Sequence, residues 1–145
     1  MKPLHETKTK RLWVMTDETI LEGEVPEEVR EPWGLLVVDQ DGEWTSDFQD
    51  RIIENAIKLG CRYFLITGGN AEDWEESINE IATSMAPEEN VVIHTVEDGE
   101  VDEAVEHFLS HAKEDEAMQD LAIVFLDVGD YDEDDYTDQL TSMME

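Results

Sequence analysis

The chain has 145 residues, with 39 Asp and Glu against 9 Lys and Arg and a formal net charge of −30. That length fits one domain with its own core, and an apolar share of 40%, with acids spread between apolar runs, excludes a disordered acidic tail. Charge of this sign excludes direct nucleic-acid binding and anionic membranes and favours basic proteins, while one cysteine, Cys61, excludes an internal disulfide framework or a cysteine zinc cluster.

Residues 1–10 read as a mobile basic arm, because Lys2, Lys8, Lys10 and the adjoining Arg11 face a single acid, Glu6. Residues 11–145 read as one acidic α/β domain. The first apolar run, residues 12–15, predicts a strand, and residues 16–32 form a long, polar, irregular connection. The run at 34–38 predicts a second strand. Ser46 and Gln49 are spaced as a capping box. Phe48, Ile52, Ile53, Ala56 and Ile57 then follow a helical period, and Gly60 suits the helix stop. Residues 63–67 predict the third strand. The next helix starts near Asn70, turns Trp74, Ile78, Ile81, Ala82 and Met85 inward, and stops before Pro87. A strand at 91–95, a helix at about 101–112, a strand at 121–126 and a short helix at about 134–144 complete the order.

The last four apolar runs are nearly continuous in Leu, Val, Ile and Phe rather than alternating. Such runs belong to strands buried on both faces. Strands alternating with helices, joined by right-handed crossovers, predict a three-layer Rossmann-like α/β sandwich with a mostly parallel sheet of about five strands. Ligands of such sheets bind beyond the carboxyl ends of the strands.

At one of those ends, Leu35-Leu36-Val37-Val38-Asp39-Gln40-Asp41-Gly42 resembles the first motif of haloacid-dehalogenase-type phosphatases. The resemblance implies Asp39 as nucleophile and Asp41 as acid/base, with Mg²⁺ held beside them. Thr67 then takes the place of the hydroxyl residue that holds the phosphate. Lys113 takes that of the phosphate-binding lysine, and Asp127, Asp130 and Asp132 that of the acidic metal motif. In this alternative the metal set is Asp39, Asp41 and Asp130. Glu43 and Trp44 depart from the motif, the flap insert and cap domain are missing, and an extra strand comes first.

Other signals are weaker. Thr67-Gly68-Gly69-Asn70 joins a strand to a helix, but no Walker lysine follows, and Glu72, Asp73, Glu75 and Glu76 crowd the turn. Asp130, Asp132 and Asp134 have the spacing of a calcium loop, yet Asp135 replaces the loop glycine and Thr141 the final Glu. His107 and His111 lie four apart without an indicated third metal ligand and read as an exposed pair. The densest acids, Asp130, Asp132, Glu133, Asp134, Asp135 and Asp138, together with Glu114, Asp115 and Glu116, are the expected docking surface for a basic partner.

The segments GLLVVDQDGEWTSDFQ, GCRYFLITGG and DWEESINE, within residues 33–78, resemble a family of small uncharacterised bacterial Rossmann-like α/β proteins. The most specific piece is Gly60-Cys61-Arg62-Tyr63. The resemblance implies a size and a Rossmann-like organisation and no activity. No stretch approaches the roughly 20 apolar residues of a membrane span, and no secretory signal is recognisable, so a cytoplasmic protein is expected.

The leading functional reading is a non-enzymatic acidic module that docks on a basic protein, as inhibitors, immunity proteins and DNA mimics of nucleic-acid-binding proteins do. It needs no cofactor. The Mg²⁺-dependent phosphatase, or an inactive descendant of one, is an alternative. A second alternative is a salt-adapted protein whose acidity is environmental. Acids clustered on one face favour docking; uniform coverage favours salt adaptation.

Overall fold

The apolar runs of the sequence become the strands of one six-stranded sheet in the computed structural model. The structure describes residues 5–7, 10–16, 20, 29, 32–39, 46–68, 71–85, 91–96, 101–114, 118–125 and 133–144. In chain order the elements are β1 (His5–Glu6), β2 (Arg11–Thr16), β3 (Trp33–Asp39), α1 (Ser46–Lys58), β4 (Cys61–Gly68), α2 (Ala71–Met85), β5 (Val92–Val96), α3 (Val101–Glu114), β6 (Asp120–Phe125) and α4 (Glu133–Met144).

The strands lie in the order β1-β2-β6-β3-β4-β5. β1 is antiparallel to β2, and every other neighbouring pair is parallel. The chain steps outward from β3 through β4 to β5, then crosses back to β6 on the other side of β3. That return splits the helices between two faces. Ile52, Ile53, Ala56 and Ile57 of α1 and Trp74 and Ile78 of α2 pack against Leu35, Val37, Phe64, Ile66 and Val124. Ala104, Val105, Phe108 and Leu109 of α3 and Leu140 of α4 pack against Leu36, Val38, Tyr63, Leu65 and Ile123. The result is a three-layer α/β sandwich.

This arrangement explains the strand composition. Leu35 and Val37 point to one helix layer and Leu36 and Val38 to the other, so none of these four positions of β3 is left for a polar side chain. Each such buried aliphatic side chain contributes about 1.5–3 kcal/mol.

Two apolar side chains expected in the core lie outside it. Phe48 is 46% exposed and Met85 43%. At 100° per residue, the stripe of Ile52, Ile53, Ala56 and Ile57 aligns with Gln49 rather than Phe48, and Gln49 is buried in its place. Helix α1 ends as anticipated at Gly60, whose φ of 105° is a conformation glycine takes without strain.

Of residues 1–10, expected as a mobile arm, the structure describes 5–7 and 10. His5 and Glu6 pair with Leu12 and Arg11. The Thr7 amide donates to the Lys10 carbonyl at 2.7 Å, closing the turn between the strands. The Lys10 ammonium donates to the carbonyl of Met118. A two-residue strand carries no hydrophobic period that could announce it. The connection expected over 16–32 lies outside the described residues apart from Thr16, Ile20, Val29 and Pro32. Ile20 is buried under α1, and its carbonyl accepts from Asn55 Nδ2 at 2.7 Å.

Candidate functional site

The reversal of strand order falls between β3 and β6, and the carboxyl ends of these strands flank the crevice where a doubly wound sheet binds ligands. Register defines the neighbours there. Val38 pairs with Thr67 on one side and Phe125 on the other, and Asp39 pairs with Gly68. Asp39 and Thr67 thus sit one step apart on adjacent strands. The Thr67 side chain is buried, and Gly68, at φ 138°, turns the chain out of β4.

Of the remaining residues of the phosphatase motif, Asp41 and Asp130 lie outside the described residues, as do Asp127 and Asp132. Lys113 is placed by its backbone, and it is not with the others. Helix α3 runs antiparallel to β4. Its His107 stacks on His94 with ring centroids 4.6 Å apart, and its His111 lies on Tyr63 at 4.1 Å. Lys113 follows His111 toward the amino edge, whereas Thr67 lies four strand residues beyond Tyr63, about 13 Å further along. The same stacking shows that His107 and His111 serve different neighbours rather than one metal. Among the described residues no group of three His, Cys, Asp or Glu side chains can hold a metal ion.

The expected docking acids are also divided. Glu114 closes α3 at the amino edge and is exposed. Glu133, Asp134 and Asp135 open α4, and Asp138 is exposed within it. Asp115, Glu116, Asp130 and Asp132 lie outside the described residues.

Among the described residues the bases are sorted along the strand direction, whereas acids stand at both edges, with Glu6, Glu114 and Asp120 at the amino edge. Helices α1, α2 and α3 begin at the carboxyl edge with exposed acids: Asp47, then Glu72 and Asp73, then Asp102 and Glu103. There they meet the positive ends of the helix dipoles. The linking segments 40–45, 69–70, 97–100 and 126–132 add eight acids and no Lys or Arg to the sequence between these elements. The described bases collect at the other edge. Lys10 precedes β2 and Arg11 starts it, Lys58 ends α1, Arg62 is the second residue of β4 and Lys113 the last but one of α3. Arg51, in the second turn of α1, is the described base nearest the acidic edge.

The amino edge holds an ionic centre that strand patterning did not reveal. Asp120, fully buried, accepts from Arg11 Nε at 2.8 Å and Nη2 at 3.0 Å. Trp13 Nε1 donates to the same carboxylate at 3.0 Å. The only signal was an Asp opening one apolar run and an Arg opening another. Nearby, burial raises the Cys61 thiol and the Tyr63 phenol well above their ordinary ranges.

The fold and this edge define a three-layer α/β domain with an acidic carboxyl end. The chain belongs to the DUF7684 family, a domain of unknown function, whose model matches residues 14–145. No curated protein matches it. Among the described residues no helix is long and apolar enough to cross a membrane.

Proposed function

We propose that this protein is a non-enzymatic cytoplasmic module that docks its acidic carboxyl edge on a basic protein, inhibiting a nucleic-acid-binding partner by occupying its phosphate-binding surface. The sorting of the bases carries this reading. A one-signed edge, set opposite the described bases, orients an approaching basic protein and speeds its encounter. Carboxylates on neighbouring helix starts, spaced by the sheet, substitute for phosphates that recur every 1.7 Å or so along a duplex.

The test is a pull-down from host lysate at low salt, eluted by a salt step. A parallel bait carries Asp47→Asn, Glu72→Gln, Asp73→Asn, Asp102→Asn and Glu103→Gln. One basic protein retained by the native chain and released from the variant supports the reading. Equal retention by both baits sinks it.

Asp39 and Thr67 close adjacent strands, which is all that the phosphatase alternative keeps: their one-residue offset assigns them to opposite faces of the sheet, and this and the distance of Lys113 weigh against it. Mg²⁺-dependent hydrolysis of p-nitrophenyl phosphate that disappears in Asp39→Asn would establish that alternative.

A further inference from the structure

We propose that β5 is the seat of this docking, and that its outer edge takes up an extended basic segment of the partner as a seventh strand. The inference rests on the docking reading and adds the geometry of the contact.

Among the described residues β5 ends the sheet and pairs only with β4, through five residues in unbroken register. Among the described residues no strand pairs with its other side, so alternate N–H and C=O groups face outward. Proteins blunt such edges with Lys, Pro, bulges or very short strands. The opposite edge follows that rule, since β1 has two residues and carries Glu6. β5 breaks it. Its sequence, Val-Ile-His-Thr-Val, has no charged residue, Pro or Gly, in a chain where 33% of residues are charged. Val92, Ile93 and Thr95 are half-buried and His94 is exposed, which leaves apolar surface beside the outward amides.

Charge selects the occupant. Helix α2 packs Ile81 and Ala82 on the face of the sheet that receives Ile93, and its solvent side carries Glu75, Glu76 and Glu80. Helix α3 lays His107 on His94 from the other face and exposes Glu103 and Glu106. Val96 ends the strand at the acidic carboxyl edge, so the two surfaces are continuous. A second copy, also at −30, is repelled. A strand of alternating Lys or Arg with Val or Thr gains both ladder hydrogen bonds and charge pairing.

The probe is a short fluorescein-labelled peptide alternating Lys with Val and Thr, titrated onto the full chain at low salt and read by fluorescence polarisation. A second peptide has the same sequence but carries N-methyl groups on alternate amides, which keeps every charge and removes one hydrogen-bonding edge. The expected result is roughly tenfold weaker binding of the methylated peptide, with the unmethylated one slowing amide exchange at residues 92–96. Equal binding overturns edge pairing and leaves electrostatic docking standing. Binding of neither peptide overturns both. A chain that sediments as a dimer with residues 92–96 already protected assigns the edge to a second copy and overturns the proposal.

Discussion

Arg11 grips the buried carboxylate of Asp120 through two nitrogens, at 2.8 and 3.0 Å, and so ties the start of β2 to the start of β6. These residues are 109 positions apart. Asp120 is excluded from solvent, while the Arg11 side chain is 24% exposed and stacks over Trp13 at 5.6 Å. Removing one member of a buried pair leaves an uncompensated charge at a cost of 3–5 kcal/mol, whereas replacing both by apolar groups is often neutral. Arg11→Ala is expected to cost about 3 kcal/mol, near the lower bound because water reaches the guanidinium. Arg11→Met with Asp120→Leu is expected to recover most of it. Urea midpoints of the two variants check this. A chain cut to start at residue 14, where the family match begins, loses Arg11 and Trp13 together and is expected to unfold at least as easily as Arg11→Ala.

Gly34 is closely packed within β3. A Cβ there would stand 3.2 Å from Met118 Sδ and 3.3 Å from the Tyr63 ring. The ring is fixed by Phe108, stacked at 5.5 Å, and by His111. Gly34→Ala is therefore expected to destabilise by about 1–3 kcal/mol. Adding Met118→Ala removes one neighbour, and thermal melts should show the two losses to be less than additive.

Cys61 and Tyr63 make stability sensitive to alkali. Burial raises both groups, so each stays protonated in the fold while the unfolded chain releases its proton at about 8.5 for the thiol and about 10 for the phenol. Above those values the native state binds more protons than the unfolded one, and stability falls as pH rises. The contribution is full below about pH 8 and is lost through the range above it. Urea midpoints taken at increasing pH should be level at first and then decline. In Cys61→Ala the onset of the decline should move up toward the phenol range. A thiol reagent should label Cys61 at the rate of unfolding rather than at the rate of a free thiol.

The parallel strands and four helices were legible because each carries a long local signal. Apolar runs without alternation announced burial on both faces, and a 3.6-residue period announced the helices. The features that escaped notice lack local signals. His5 and Glu6 become a strand only because Leu12 and Arg11 lie opposite them. Asp120 reads as a polar flank until its partner arrives from the other end of the chain. Lys113 was placed with Asp39 and Thr67 because motif order fixes sequence order and not the end of the sheet at which a residue emerges. For the same reason the density of acids at 130–138 carries no information about the acids that open α1, α2 and α3. Sorting of the bases is a property of topology, visible once each helix start is assigned to an edge.

Range decides between two opposing effects of the acids. A first-turn acid such as Asp47, Glu72 or Asp102 gains about 0.3–1 kcal/mol from the helix dipole within a few ångströms. The net charge of −30 opposes compaction over the whole molecule. Screening lengths of about 30 Å at 0.01 M salt and 8 Å at 0.15 M remove the second effect long before the first. The melting temperature is therefore expected to climb steeply between these concentrations. The five-fold Asn/Gln variant at the helix starts is expected to be close to the native chain in stability at about 0.01 M and less stable than it at about 0.15 M, where only the local dipole interaction is left. A native curve that flattens near physiological ionic strength is what a cytoplasmic docking protein gives. One that keeps rising beyond about 1 M, where the screening length is already about 3 Å, requires salt for reasons other than screening and assigns the acidity to the environment.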